Sequence, residues 1–158
     1  EGETTISFAG NSIAFECGDV TITSRLLEGR FPDWRGVVPK YTSGFSANLV
    51  AGPLSAAISQ AAIASSEESK GLDFAFSGDL LAIDGQAQGK GEAHAELPVA
   101  TSGDSVTITL DPRLLGMLLK ALRPETSLLL KLNGPENAAL FEIDDGFKYV
   151  LMPLSRDR

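Results

Sequence analysis

The chain has few of the residues that form disulfides and metal sites, and it lacks the long apolar runs that form membrane spans. Its 158 residues include one cysteine, Cys17, and one histidine, His94. A single cysteine excludes an intrachain disulfide, and a metal site would need distant carboxylates around one imidazole. No stretch approaches the roughly 18–20 uninterrupted apolar residues of a membrane-spanning helix. We therefore expect no metal, no cofactor and no membrane partner, and a soluble protein of the cytoplasm.

Positive charge is also scarce. The chain has 13 Lys and Arg against 21 Asp and Glu, which gives a formal net charge of −8. Nonspecific affinity for nucleic acid arises when Lys and Arg displace counterions from phosphates, so bulk attraction to DNA is not expected. Any DNA contact would depend on a few locally placed basic residues. Residues 1–5 contain no basic region followed by an apolar core, so we expect no secretory signal.

Catalytic signatures are missing as well. His94 lies in the alternating segment 92–96, which is most simply the exposed polar face of a strand. No Gly-x-Ser-x-Gly elbow accompanies it, and this argues against a Ser-His-Asp hydrolase. The glycine-rich segment 85–91 lacks the Gly-Lys-Ser/Thr ending of a phosphate cradle, and the Asp-Asp-Gly run at 144–146 predicts a turn. These patterns favour a binding function over catalysis.

What the chain does contain is enough apolar material for a core, since 43% of its residues are hydrophobic. Near the start, alternation predicts strands at 4–8, 12–16 and 20–24. Three strands do not close a core by themselves. This segment therefore belongs to a larger domain or pairs its sheet with something else.

From residue 41 onward, the predicted elements repeat. Strands are predicted at 45–50, 72–76, 80–83, 92–99, 105–110, 127–132, 138–143 and 149–154, and amphipathic helices at 53–66 and 112–122. The order corresponds to two copies of a βαβββ unit. We expect an α+β fold in which two helices lie on antiparallel sheets.

The most distinctive motif is the stretch 24–39, SRLLEGRFPDWRGVVP. It contains the pairs Phe31-Pro32 and Val38-Pro39. The ring of each proline fixes its own φ angle, and each proline disfavours helical conformation at the residue before it. The motif therefore predicts an extended, pre-organised connector between two domains.

Two motifs resemble one protein family. Residues 24–39 are similar to the junction between the second and third domains of the bacterial DNA polymerase III beta subunit, the sliding clamp, where Ser-Arg-Leu-x-x-Gly-x-Phe-Pro-Asp-Tyr recurs. Trp34 stands at the usual tyrosine. The segment 149–154, YVLMPL, is similar to the family's terminal Tyr-Val-x-Met-Pro signature, and it lies at the expected distance from the junction. The family's fold is built from a duplicated βαβββ unit, which agrees with the element order.

The resemblance implies a domain layout and a function. Residues 1–30 would be the last strands of a truncated middle clamp domain, 31–40 the interdomain connector, and 41–158 a complete C-terminal clamp domain. In full-length form, such a protein is a head-to-tail homodimer that encircles duplex DNA as a processivity factor for replication. It has no catalytic site, and it tethers DNA polymerase III alpha, clamp-loader subunits and other replication and repair proteins.

The resemblance also implies a partner site, an apolar cleft between the second and third domains that takes Gln-Leu-x-Leu-Phe-like peptides. Carried over by alignment, the cleft positions are Pro32, Gly36, Val37, Ser69, Asp111, Leu114, Ala138, Leu140, Met152, Pro153, Leu154, Ser155 and Arg156. Met and Leu would give it adaptable walls. Gly36 stands where the family often has arginine, Ser69 replaces a bulky residue, and the chain ends differently, so peptide preference is expected to differ.

Two further surfaces follow from the resemblance. The ring interface would use Ile63 and Ala64, at the end of the first long helix. The DNA-facing surface would use Lys70, Arg113, Lys120 and Arg123, and with so few cations we expect weak direct contact with DNA.

Three alternatives remain open on the sequence alone. The chain could be a stand-alone clamp-like interaction module that keeps the peptide cleft but never encircles DNA. It could be an unrelated α+β enzyme with an unrecognised site. Finally, Met152 and Leu154 could simply be alternating core residues of a last strand, rather than parts of a cleft.

Overall fold

The computed structural model describes residues 2–64, 71–87, 91–143 and 146–155. The chain forms two compact units, Glu1–Trp34 and Arg35–Arg158. Within the described ranges, no helix is both long and apolar enough to cross a membrane.

The first unit is a three-stranded antiparallel sheet with the order β1-β2-β3. Its strands are β1 (Thr5–Ala9), β2 (Ser12–Cys17) and β3 (Val20–Arg25), within one residue of the predicted bounds. Two-residue turns join them, and the first residue of each turn, Gly10 or Gly18, has a φ near +57°. Glycine adopts this left-handed conformation without the steric cost that a Cβ would impose.

One face of this small sheet is apolar and the other is polar. Residues directly opposite each other share a face, and the register places Ile6 opposite Phe15 and Phe15 opposite Ile22. The apolar face comprises Ile6, Phe8, Ile13, Phe15, Val20 and Ile22. Four of these, Ile6, Phe8, Val20 and Ile22, are exposed. This face therefore presents an apolar patch to solvent.

A single helical turn, α1 (Trp34–Val37), lies where an extended connector was expected. It begins with a 2.9 Å hydrogen bond from the Trp34 amide to the Pro32 carbonyl. A proline restricts itself and the residue before it, so Pro32 and Pro39 leave the residues Trp34–Val37 free to turn. The prediction of a fully extended connector is wrong at these residues.

The second unit is built on two antiparallel sheets, whose orders are β12-β11-β10-β4-β8 and β7-β6-β5-β9. After α1, its elements are β4 (Phe45–Val50), α2 (Ala51–Ala61) with a 3-10 turn (Ala62–Ala64), β5 (Leu72–Ser77), β6 (Leu80–Ala87), β7 (Gly91–Pro98), β8 (Ala100–Ser102), β9 (Val106–Leu110), α3 (Pro112–Lys120), β10 (Ser127–Leu132), β11 (Ala139–Ile143) and β12 (Phe147–Leu151).

The predicted duplication is confirmed, and the two copies exchange their first strands. One copy is β4-α2-β5-β6-β7 and the other is β9-α3-β10-β11-β12, with the short β8 between them. β4 pairs with β10 of the second copy, while β9 pairs with β5 of the first. Each sheet therefore takes its strands from both copies, and neither copy can complete its sheet alone.

The core joins both sheets and both long helices. The rings of Phe45 in β4 and Phe76 in β5, one from each sheet, have centroids 4.9 Å apart. Leu54 and Ile58 are buried from α2, and α3 buries Leu115, Leu118 and Leu119 in the same cluster. The amphipathic spacing that predicted the two helices therefore also identifies their core-facing sides.

The start of α2 depends on the loop that follows α3. Val50 offers no side-chain cap. Instead, the Ala51 and Gly52 amides donate to the carbonyls of Thr126 and Pro124, at 2.9 and 2.8 Å. These bonds satisfy donors that have no partner inside the helix, which allows α2 to begin two residues before the predicted position. A Cβ on Gly52 would lie 3.0 Å from the Pro124 carbonyl oxygen, so the close approach requires a small residue.

Two strand predictions are corrected. The predicted strand 92–99 ends at Pro98, and Ala100–Ser102 forms the separate strand β8 in the other sheet. Proline carries no amide hydrogen for a ladder, and the next amide, that of Val99, donates to the Asp79 carbonyl at 3.0 Å. The predicted last strand, 149–154, instead runs over Phe147–Leu151.

We expect Phe76→Ala to lower the free energy of unfolding of the second unit by about 3–5 kcal/mol, because it removes a fully buried ring that contacts both sheets. Urea unfolding followed by circular dichroism measures the change. Ile63→Ala, at an exposed apolar position, is the control and should alter stability by less than about 0.5 kcal/mol. Equal effects of the two substitutions would contradict this view of the core.

Candidate functional site

The chain segment after β12, residues 152–155, is called the tail below. The Leu154 amide donates to the Thr109 carbonyl of β9 at 2.9 Å. Because β12 and β9 belong to different sheets, this bond carries the tail from one sheet to the edge of the other. A Cβ on Gly71 would lie 2.5 Å from Thr109 Cγ2 and 3.0 Å from Leu154 Cδ1, so glycine permits this packing. The tail is thus held by both backbone and side-chain contacts.

The tail brings apolar side chains to the first turn of α3. The Tyr149 hydroxyl donates to the Leu114 carbonyl at 2.9 Å and ties β12 to that turn. Leu114 is 42% exposed and Met152 is 63% exposed, while Pro153 and Leu154 are half-buried. We call Leu114, Met152, Pro153 and Leu154 the tail surface. Met152 and Leu154 are therefore not alternating core residues of the last strand.

Asp111 fixes the start of α3. It is the N-cap residue, and its carboxylate accepts hydrogen bonds from the Arg113 amide at 2.8 Å, Nε at 3.2 Å and Nη2 at 2.8 Å. The Arg113 side chain holds the pKa of Asp111 below its usual range, although burial acts in the opposite direction. Asp111 is only 6% exposed, so the structure keeps a buried carboxylate ionised beside the tail surface.

The second apolar region lies on the outer face of the five-stranded sheet. Ala139 and Phe141 point into the core, so Leu140 points the other way, directly opposite Val150. Leu140 is nevertheless only 2% exposed. The Tyr41 hydroxyl donates to the Ala138 carbonyl at 2.8 Å, which holds the segment after α1 at the start of β11. We call Ala138, Leu140 and Val150 the outer strip.

Val150 was missed by the sequence reasoning. The alternation of side chains along β12 could have identified it. Tyr149 and Leu151 belong with the core, so Val150 between them must face outward. Met152 lies one residue beyond the Ala139–Leu151 pair, next to the same strip. As the first residue of the tail, it therefore joins the tail surface to the outer strip.

Most of the predicted cleft positions in the second unit fall into these two groups. Asp111, Leu114, Pro153 and Leu154 surround the start of α3, and Ala138, Leu140 and Met152 follow the outer strip. Gly36 and Val37 lie in α1, where both are exposed, and Ser155 is exposed at the end of the tail. Pro32 belongs to the first unit. Ser69 and Arg156 lie outside the described residues.

The region of the predicted DNA-facing residues carries little charge. A groove of about 330 Å³ separates α2 from α3, and none of its lining residues is charged: Ala51, Gly52, Ser55, Ala56, Ser59, Leu119, Leu122 and Pro124. Lys120 and Arg123 are exposed at the end of α3, whereas Arg113 lies at its start and pairs with Asp111. Lys70 lies outside the described residues.

The two predicted ring-interface residues differ in exposure. Ile63 is 80% exposed, a large apolar side chain in solvent, while Ala64 is buried. Of this pair, only Ile63 exposes its side chain to solvent.

His94 forms a polar cluster with two carboxylates. Its Nδ1 lies 2.6 Å from Asp84 Oδ1 and its Nε2 lies 3.2 Å from Glu96 Oε1. The hydrogen bond with Asp84, followed by that with Glu96, raises the pKa of His94. Both ring nitrogens thus already contact carboxylates. Among the described residues, no group of three or more His, Cys, Asp and Glu is arranged to hold a metal ion.

Sequence comparison finds relatives along almost the whole chain. It is 30% identical over 158 residues to the beta sliding clamp of Pseudomonas aeruginosa, which covers 98% of this chain and 42% of that protein. It is 30% identical over 155 residues to the beta sliding clamp of Escherichia coli, covering 94% of this chain and 41% of the relative. The chain spans about two fifths of the length of these curated relatives. No protein-family model matches.

Structural comparison finds the same fold. A crystal structure of the DNA polymerase sliding clamp from Pseudomonas aeruginosa with ligand superposes with a TM-score of 0.88 at 28% identity, covering 99% of this chain and 43% of that one. The DNA polymerase III beta subunit from Thermotoga maritima gives a TM-score of 0.85 at 19% identity, covering 97% and 42%. The predicted sliding-clamp fold is confirmed.

The ion pair at the start of α3 predicts a pH effect. A carboxylate whose pKa is lowered by folding contributes stability above its ordinary value of 3.8, and this contribution is lost as pH falls through the folded value. Asp111→Ala should lower the free energy of unfolding by about 1–2 kcal/mol at neutral pH. Asp111→Asn should cost less, because asparagine also caps helices.

Thermal or urea unfolding from neutral pH down to about pH 2.5 tests this prediction. The stability difference between the wild type and Asp111→Asn should shrink towards the acid end, where the Asp111 carboxyl is protonated. A difference that stays constant with pH would show that the charge of Asp111 contributes nothing to stability.

Proposed function

Because this chain is a homologue of the bacterial beta sliding clamps over 98% of its length, we propose that it is part of a DNA polymerase processivity clamp. The clamp is a non-catalytic replication protein of the cytoplasm. The observation that carries this proposal is the agreement of the duplicated, strand-exchanged fold with solved clamps at a TM-score of 0.88. Its role is then to hold other proteins on DNA.

We propose that the tail surface and the outer strip form a cleft for partner peptides on the second unit. Support comes from the apolar character of both regions and from the backbone bond that fixes Leu154 beside α3. Exposed Met152 offers an unbranched, polarisable side chain between them, which suits a site that accepts several sequences. The partners would be polymerase and clamp-loader subunits carrying Gln-Leu-x-Leu-Phe-like segments.

We further propose a head-to-tail homodimer of the full-length protein that encircles duplex DNA. Ile63, 80% exposed in the turn after α2, supports a ring contact at this point. The neutral groove between α2 and α3 would give little direct attraction to phosphates. Retention on DNA would then come from encirclement. The same neutral groove favours the second candidate, a clamp-like interaction module that never encircles DNA.

The domain layout is also proposed. Residues 1–30 would be the last strands of a middle clamp domain, 31–40 the connector and 41–158 the C-terminal domain. Support comes from the exposed apolar face of β1–β3, which in a complete middle domain would be buried against further strands.

Peptide binding tests the proposed function. We expect a fluorescent Gln-Leu-x-Leu-Phe peptide to bind the chain saturably, and Met152→Glu to weaken it at least about tenfold, because a charge would be desolvated against apolar peptide side chains. Ile63→Glu, also a charge at an exposed apolar position, should leave affinity unchanged. Absence of binding to the wild type, or equal loss in both variants, would contradict a cleft at the tail.

Hydrogen exchange tests the domain proposal. Amides of β1–β3 should exchange at least about 100-fold faster than those of β10, because the small sheet buries little apolar surface while β10 lies in the middle of a five-stranded sheet. Mass spectrometry of peptides from both regions gives the rates. Protection of β1–β3 equal to that of β10 would show a self-sufficient unit, contrary to the proposal.

A further inference from the structure

A small charged group borders one end of the outer strip. The register of β11 and β12 places Glu142 directly opposite Lys148, two residues along each strand from Leu140 and Val150. Lys131 of β10 lies opposite Leu140, and long side chains also reach the diagonal neighbour across an antiparallel pair. Lys131 Nζ accordingly lies 2.5 Å from Glu142 Oε2, and Lys148 Nζ lies 3.2 Å from Glu142 Oε1. We call Lys131, Glu142 and Lys148 the charged end of the strip.

The charged end has more positive than negative charge. The hydrogen bond from Lys131, with a smaller contribution from Lys148, holds the pKa of Glu142 below its usual range, although burial acts in the opposite direction. Glu142 is therefore ionised at neutral pH, and two ammonium groups share its single carboxylate. Among the described strand residues that the register places on the outer face of the five-stranded sheet, these three alone are charged. One positive charge is thus left over at this end of an otherwise neutral face.

Lys148 is the most accessible member of the charged end. Its side chain is 43% exposed, against 30% for Lys131 and 24% for Glu142. An ammonium group has three N–H donors, and the contact with Glu142 requires one of them. Lys148 can therefore donate to a second carboxylate from outside without releasing Glu142.

The spacing along the outer strip suits a short extended peptide. Met152, at the other end of the strip, is four residues from Lys148 along the chain. At about 3.3 Å per residue, four residues of extended chain cover about 13 Å, which is also the distance between the first and last residues of an extended five-residue segment. A peptide whose apolar side chains lie along the strip would therefore bring its next residue to Lys148.

We propose that the charged end binds an acidic side chain flanking the apolar segment of a partner peptide, with Lys148 donating to its carboxylate. This inference rests on the proposed peptide-binding function. The surplus positive charge attracts an acidic flank and disfavours a basic one, so the charged end distinguishes partners whose apolar segments are alike. Because Lys148 is exposed, its effect on affinity is modest, and the apolar contacts supply most of the binding.

Peptides with matched acidic and neutral flanks test the assignment. The segment Gln-Leu-Ser-Leu-Phe, acetylated and amidated so that its ends are uncharged, is extended by Glu-Glu or by Gln-Gln, either before or after it. Each peptide competes with the fluorescent Gln-Leu-x-Leu-Phe peptide for the chain. At the end of the segment that reaches Lys148, Glu-Glu should bind about two- to fivefold more tightly than Gln-Gln, and added salt should reduce this preference.

Variants of the charged end complete the test. Lys148→Gln leaves one lysine beside Glu142 and should abolish the preference. Glu142→Gln leaves both lysines without their carboxylate and should increase the preference, which a merely structural role of this group would not do. The matched control is Lys120→Gln, which removes an exposed lysine from the last turn of α3 and should keep the full preference. The uncharged Gln-Gln peptides report on the cleft itself in every variant.

The possible failures are distinguishable. Equal affinity for Glu-Glu and Gln-Gln peptides at both ends, or a preference that survives in Lys148→Gln, would overturn the role of the charged end and leave the peptide cleft standing. A weaker preference in Glu142→Gln than in the wild type would overturn it too. Loss of the preference in Lys120→Gln as well would mean that general charge attracts the acidic flank. Failure of every peptide to bind would overturn the proposed function and this inference with it.

Discussion

The exchange of first strands between the two βαβββ copies is the constraint on which the second unit depends. β4 forms its ladder with β10, and β9 forms its ladder with β5, so each sheet closes only when both copies are present. These pairings join segments far apart in sequence, so their loop-closure entropy must be offset by burial of a shared core. The Phe45–Phe76 contact, one ring from each sheet, lies where the two sheets meet. Stability of one copy is thus inseparable from that of the other.

The candidate site is a consequence of that exchange. β9 lies in the four-stranded sheet, and β12 lies in the five-stranded sheet. Because α3 directly follows β9, the start of α3 lies where the two sheets come together. The Leu154–Thr109 bond and the Tyr149–Leu114 bond both cross this junction. The tail surface is thereby assembled from two separate segments, α3 and the tail, which are held by one backbone bond and one side-chain hydroxyl bond. Leu114 and Met152 remain exposed. A site built on such fixed elements needs little reorganisation to bind.

Local signals in the sequence predicted the regular parts of this structure. Alternation located β4 and β10, and the Asp111-Pro112 start with its leucine spacing located α3 and its buried side. What failed were features decided by distant partners. β8 exists because β4 offers it an edge, and α2 begins early because the loop at 124–126 accepts its first amides. Likewise, Val150 faces outward because of the strand register, and Arg113 pairs with Asp111 because of its rotamer. Composition and spacing specify neither of these.

Charge placement then links the fold to the proposed function. The chain has a net charge of −8, α2 has no charged residue, and the arginine at the start of α3 is tied to a buried carboxylate. A surface of this kind is poorly suited to holding phosphates, since such affinity grows with the number of displaced counterions. The exposed large apolar side chains include those of Leu114, Met152 and Ile63, where contacts with proteins are proposed. On the proposed function, recognition would therefore be directed at protein partners, and retention on DNA would come from encirclement.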